Sequence, residues 1–143
     1  MHYANRTIAS RLLAAANGRI NILELLLGSG RIETVQAQDK QGLSALHWAA
    51  RNGRNNVVKV LVEYGADIDV RNKEGQSPLH TAVVAKRPDT VGVLLDFGAD
   101  PLAVTKEGAS AIDLAVRDGL VDILHLLENA VEEEEGEDYA MVG

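Results

Sequence analysis

The sequence contains no cysteine, which excludes a disulfide scaffold, a thiolate zinc site and a cysteine nucleophile. Aromatic residues are nearly as scarce. Trp48, Phe97, Tyr3, Tyr64 and Tyr139 are all there are, so a core must be built from Leu, Val, Ile and Ala, small side chains that suit closely spaced helices. No apolar run approaches the roughly 20 residues of a membrane helix, and the N-terminus lacks the charged stretch leading into an apolar segment that marks a secretory signal. The expectation is no membrane insertion and a cytoplasmic location, with a nuclear one equally compatible. Positive charge is in short supply too: 21 acids face 14 bases, a formal charge of −7. Six of the acids, Glu132, Glu133, Glu134, Glu135, Glu137 and Asp138, lie in one short stretch, and without them 15 acids face 14 bases. A nearly neutral body with no dense basic patch gives no reason to expect a nucleic-acid partner. The like-charged stretch over 131–143 reads as a disordered acidic tail.

What the chain does have is a period of 33 residues. Gly42, Gly75 and Gly108 are spaced by it. So are Leu46, Leu79 and Ile112; Ala49, Ala82 and Ala115; Leu61, Leu94 and Leu127; and Gly65 with Gly98. Asp39-Lys40-Gln41-Gly42, Asn72-Lys73-Glu74-Gly75 and Thr105-Lys106-Glu107-Gly108 open the three units with a turn former first and glycine last, the signature of a type I turn. Ser44, Ser77 and Ser110 come next as N-caps, with Pro78 at a first helical position where its missing N–H costs nothing. A short helix through Ala49-Ala50, Ala82-Val83 or Ala115-Val116 ends near Gly53 or Gly119, and a second helix carries one apolar stripe: Val57, Val58, Leu61 and Val62, then Val91, Leu94 and Leu95, then Ile123, Leu124 and Leu127. Neither helix is long enough to persist alone in water. Each must be covered by its neighbour, which is the logic of a solenoid.

These residues resemble the ankyrin repeat, whose pattern reads roughly D-x-x-G-x-T-P-L-H-x-A-A-x-x-G, with a second helix ending L-L-x-x-G-A-D. Asp39 to Asp67 and Asn72 to Asp100 fit it at most anchors, and the resemblance covers about residues 8–129. It implies an all-α solenoid of stacked helix–turn–helix units joined by β-turn or hairpin loops. The domain spans 4–130 in about four repeats, 4–38, 39–71, 72–104 and 105–130. An upstream unit matches at an offset of 35: Asn17-Gly18 aligns with Asn52-Gly53, and Gly30 with Gly65. It lacks its opening turn and has Arg11 at an anchor position, so it reads as a cap or a truncated repeat, with a helix over roughly 5–16 presenting Ile8, Leu12 and Ala15. Lys86 replaces a helix-ending glycine before Pro88, and an altered turn is expected over Ala85–Pro88. In the fourth unit Asp113 replaces His and Glu128 replaces Leu, as in a C-terminal cap.

No chemistry is legible beside this pattern. His47 and His80 share one repeat position, and the resemblance gives them a structural role, bonding the adjacent turn. His2 is terminal, and His125 is expected to be exposed. Gly28-Ser29-Gly30 lacks the strand and the G-K-[ST] of a phosphate loop. Asn5-Arg6-Thr7 matches a glycosylation sequon without a secretory signal to expose it. No carboxylate pair, nucleophile or ligand cluster is recognisable, so no enzyme activity, cofactor or metal is expected.

The resemblance places a partner on the concave face formed by turn tips and first helices. It assigns there Lys40, Gln41, Leu43, Trp48, Arg51 and Asn52 from the second unit. The third supplies Lys73, Glu74, Gln76, Thr81, Val84 and Ala85, and the fourth Lys106, Glu107, Ala109, Leu114, Arg117 and Asp118. Trp48 is read either as an interface anchor or as a filler packed on Leu13 or Thr81. Lys40, Lys73 and Lys106 make a basic column, with Arg51 and Arg117 behind it. The expected function is a monomeric scaffold or adaptor binding another protein or peptide. The alternative is a structural or regulatory segment of a larger protein that packs on its own catalytic or targeting domain. The acidic tail reads as a solubilising tail or linker, with a linear peptide around Tyr139 for a separate partner or for phosphorylation, and an autoinhibitor folding back on the lysine column, as the functional alternatives.

Overall fold

The computed structural model describes the backbone of residues 35–142 and side chains through 133. The upstream unit, with Ile8, Arg11, Leu12, Leu13, the sequon and Gly28-Ser29-Gly30, lies outside the described residues, as does His2. Among the described residues six helices are arranged in pairs: α1 (Ala45–Arg51) and α2 (Asn55–Glu63), α3 (Pro78–Val84) and α4 (Pro88–Asp96), α5 (Ala111–Arg117) and α6 (Val121–Val142). First helices stack on first helices and second on second, α1 on α3 on α5 and α2 on α4 on α6, in two layers. Among the described residues there is no named strand, only the isolated antiparallel bridges Gln38–Ser44 and Val104–Ser110 that close hairpins between units.

The stripes read from the sequence form the core. Leu46, Leu79, Ala49, Ala82, Ala115, Leu61, Leu94 and Leu127 are all buried, with Val57, Val58, Val91 and Ile123 between them. Ile112, Val62, Leu95 and Leu124 are only partly covered. Alanines on the first helices let these short helices approach closely, while the leucines of the second helices fill the space behind.

Each turn is built the same way. Gly42, Gly75 and Gly108 take φ of 78°, 78° and 83° and donate their N–H to Asp39, Asn72 and Thr105 carbonyls at 3.0, 3.0 and 2.9 Å. The left-handed region favours glycine in itself, and two of these three positions add a second demand. A Cβ on Gly42 would lie 2.8 Å from the Lys73 nitrogen, and one on Gly75 equally close to the Lys106 nitrogen, whereas one on Gly108 would meet nothing. The hairpins are stacked that tightly because Lys73 N–H donates to the Gln41 carbonyl at 3.0 Å and Lys106 N–H to that of Glu74 at 3.1 Å.

Three features depart from the sequence reading. Lys86 does not alter its turn. It adopts φ 60°, beside 69° for Gly53 and 68° for Gly119. Lys86 N–H and Arg87 N–H bond the Val83 and Ala82 carbonyls at 3.0 Å each, as the corresponding amides do in the other units. The repeat geometry overrides a local cost of about 1–2 kcal/mol for a left-handed non-glycine residue. Next, α6 does not stop where a tail is expected. Val131 stands where Gly65 and Gly98 end the earlier second helices, and the helix runs on to Val142. Glu and Ala are good helix formers, so a helix anchored by Ile123 and Leu127 propagates into the acidic stretch. Finally, the C-terminal end is less polar than a cap. Asp113 and Glu128 are exposed as expected, but so are Leu102, Val104, Val116 and Val121.

Candidate functional site

The serine that begins each first helix also begins the concave face. Ser44, Ser77 and Ser110 accept from the N–H three residues on, at 3.3, 3.4 and 3.1 Å. The side chain at that third position returns the bond to the serine N–H. His47 and His80 do so through Nδ1 at 3.1 Å, and Asp113 through Oδ2 at 2.9 Å. This is a capping box with an imidazole in two units and a carboxylate in the last.

The imidazole can do one thing the carboxylate cannot. With Nδ1 accepting, Nε2 carries the proton. His47 donates it to the Gln76 carbonyl at 2.9 Å, and His80 to that of Ala103 at 3.0 Å. Both acceptors lie in the hairpin region that leads on to the next first helix, so these two histidines pin each first helix to the connection that leads to the next. Burial keeps both rings neutral, pushing them below the ordinary imidazole value, with the carbonyl bonds opposing in part. Asp113 is held below the usual carboxylate range by the serine N–H and hydroxyl. Both buried histidines are committed to backbone. Among the described residues no three His, Asp or Glu side chains gather where they could hold a metal ion.

Above this framework an open groove of about 710 Å³ lies between the second and third units. Gln41, Leu43, Trp48 and Arg51 form one wall; Lys73, Glu74, Gln76, Thr81, Val84 and Ala85 form the other; His47 and Asn72 complete the lining. The remaining residues assigned from the sequence are elsewhere. Lys40, Asn52, Lys106, Glu107, Arg117 and Asp118 do not line it, so the groove stops short of the fourth unit. Leu114, the counterpart of Trp48, is buried. The guanidinium of Arg117 is turned to its neighbour, with Nε and Nη2 donating to the two Asp118 oxygens at 3.1 and 3.3 Å. That pairing draws the Asp118 carboxyl below its usual range and raises Arg117. The three lysines of the column are exposed at the turn tips.

Trp48 is neither a free anchor nor plain filler. It is half-buried in the groove wall, the Arg51 guanidinium sits over its ring at 5.5 Å from the centroid, and its Nε1 is shielded from solvent with no hydrogen-bond partner among the described residues. An orphaned indole N–H and a stacked cation make this the chemically distinctive spot of the groove.

Sequence reasoning missed the side chains that tie hairpin to hairpin. Gln38 Nε2 donates to its own turn at Gly42 O, 2.7 Å, and to the next hairpin at Arg71 O, 2.9 Å. Arg71, 33 residues on, repeats this with Gly75 O at 2.8 Å and with Val104 O. Because a Gln and an Arg do the same job, identity gives no signal there. A shared long donor at one repeat position is the only clue.

Comparison with known proteins agrees with this architecture. A family model described as ankyrin repeats (3 copies) matches residues 11–105. Among curated proteins, the palmitoyltransferase akr1 of Schizosaccharomyces pombe is 40% identical over 62 residues, 43% of this chain and 10% of that protein. Ankyrin repeat domain-containing protein 29 of Danio rerio is 40% identical over 58 residues, 41% of this chain and 19% of its own length. The alpha-latroinsectotoxin-Lt1a of Latrodectus tredecimguttatus is 37% identical over 59 residues, 41% of this chain and 4% of the toxin. The chain thus spans less than a fifth of the length of these relatives.

Proposed function

The chain belongs to the ankyrin-repeat family, and on that premise we propose that it is a non-enzymatic, monomeric protein-interaction module that receives a protein or peptide segment in the groove between its second and third units. The observation that carries this reading is the groove's composition. Of the residues the repeat needs for folding, His47 lines the groove with both ring nitrogens bonded, while Ser44, Ser77 and His80 are buried outside its lining. The residues that face outward, Trp48, Arg51, Thr81 and Val84, are ones the framework leaves free to vary. Leu43, Trp48, Val84 and Ala85 offer apolar area for a side chain of the partner, and Arg51, Lys73, Glu74 and Gln76 offer polar direction around it, the anatomy of a small interface with an aromatic centre.

The test is the double variant Trp48→Ala with Arg51→Glu. Cross-linked pull-downs analysed by mass spectrometry should lose the partners that wild type retains, while the melting temperature moves by no more than about 3 °C, a change worth under roughly 1 kcal/mol for a domain of this size. Unchanged capture, or a large fall in melting temperature, contradicts the groove reading.

A second reading has one observation in its favour. The relatives are five or more times longer than the segment they share with this chain, so the groove can equally serve a domain of the same polypeptide. An intramolecular partner would show as cross-links from groove residues to other parts of the full-length gene product.

A further inference from the structure

The end of the stack beyond α5 and α6 is built like an interface and lacks its other half. Ala50 and Val83 are fully buried, and their counterpart in the last unit, Val116, is 60% exposed. Asn55 accepts the Thr90 hydroxyl of the following unit at 2.7 Å; its counterpart Val121 is also 60% exposed. Gln38 and Arg71 reach the next hairpin, where their counterpart Val104 is exposed. Asp69 accepts the Asp100 N–H at 3.0 Å, where its counterpart Leu102 is exposed. At each of these positions at least one earlier repeat makes a contact with the repeat that follows. At the C-terminal end of the stack the counterparts Leu102, Val104, Val116 and Val121 are all apolar and open, with Ile112 and Leu124 half-covered behind them.

Among the described residues no element closes this face. A further repeat would start with a turn near residue 131, as Gly65 and Gly98 provide at φ 92° and 90°. Val131 stands there instead, and α6 continues to Val142. Two copies meeting end to end are disfavoured by charge. Residues 101–143 hold eleven acids and two bases, against ten acids and twelve bases in residues 1–100. Both bases of the acidic part, Lys106 and Arg117, have an acid next in sequence, and Arg117 is bonded to its own, Asp118. Asp113 sits where His47 and His80 reach toward the following hairpin, so an anion faces the open end.

From the open apolar positions and this charge we propose that the C-terminal end face is a second docking surface, distinct from the groove, for a cationic amphipathic helix of another protein. The stack covers the equivalent positions of earlier units with helices, so a helix is the shape that continues it. The partner's apolar stripe covers Val104, Val116 and Val121, and its Lys or Arg residues meet Asp113 and the acidic length of α6.

A synthetic leucine–lysine peptide, with leucines along one helical face and lysines on the other, is the probe. Isothermal titration against the full chain should give binding that weakens at least tenfold in Val116→Ser with Val121→Ser. These two sites are exposed, so the melting temperature of that variant should hold. Affinity should also fall steeply with added salt, as contacts to a charged surface do. Several results overturn the proposal. One is a wild-type chain that fails to bind, or that binds no better than the serine variant. Another is binding lost in Trp48→Ala with Arg51→Glu but kept in the serine variant, which places the peptide in the groove. A third is a concentration-dependent dimer in sedimentation velocity that the serine variant dissolves, which makes a second copy the occupant.

Discussion

The third and fourth units share a backbone and differ in what they reach for. Inside each unit the parts match: Ser77 and Ser110 cap the first helix, Gly75 and Gly108 turn the hairpin with the same hydrogen bond, and Leu94 and Leu127 are equally buried. Between units they diverge. His80 donates to the Ala103 carbonyl, whereas Asp113, with no proton to give, only closes its own cap. Arg71 bridges two hairpins, whereas Val104 bridges none. Val83 is sealed and Val116 is open. The repeat motif therefore carries two separable instructions, one that folds a unit and one that attaches the next, and the fourth unit keeps the first while dropping the second.

The largest expected effect separates the two glycines that look alike. Gly75→Ala combines left-handed strain with a methyl driven onto the Lys106 nitrogen, and should cost about 2–5 kcal/mol as strain and displaced backbone add. Gly108→Ala meets open space and should cost only the strain, about 1–2 kcal/mol. Urea unfolding of both variants measures the difference, and equal losses would break the distinction between folding a unit and attaching the next. A smaller contrast comes from one helix position. Val83→Ala removes a fully buried side chain and should cost about 1.5–3 kcal/mol, while Val116→Ala should stay within about 0.5 kcal/mol. A costly Val116→Ala would mean that the end face is already covered in solution.

Most of what folds a unit was legible in the sequence, because turn glycine, capping serine and buried leucine each do one job that few residue types can do. What attaches units was less legible. Gln38 and Arg71 have nothing in common but a long side chain ending in N–H donors, and a carboxylate at 113 looks like a lost histidine until its bonds show it still caps. Lys86 reads as a broken turn when only local propensity is weighed, yet it takes φ 60° and keeps the same bonds to the Val83 and Ala82 carbonyls as the glycine turns make. Of the residues the sequence assigns to a partner-binding face, Trp48, Arg51, Thr81 and Val84 line the groove, and those of the fourth unit do not. The sequence had no way to register that Leu114 is buried where Trp48 lines an opening, or that Arg117 is spent on Asp118. Position within the repeat says which way a side chain faces. Whether a cavity opens there depends on the size of the residue opposite.

The smallest effect divides the same units by pH. His47 and His80 are held neutral by burial, below the ordinary value near 6.5. In the acid window below about 6.5 the unfolded chain therefore binds more protons than the folded one, and the stability these rings contribute is fully present above it and is lost as pH falls through their folded values. A protonated Nδ1 can no longer accept from Ser44 or Ser77 N–H, so the caps of the two inner units weaken together. Asp113 is also lowered, but from a carboxylate value, so the Ser110 cap should hold until pH drops below about 4, into the ordinary carboxylate range. Amide resonances followed by NMR from pH 8 to 4 should show Ser44 and Ser77 moving while Ser110 stays, with the melting temperature falling over the same range. Simultaneous movement of all three amides near pH 6 would mean that the last unit is coupled to the inner ones as tightly as they are to each other. The comparison would then describe a difference in residues without a difference in behaviour.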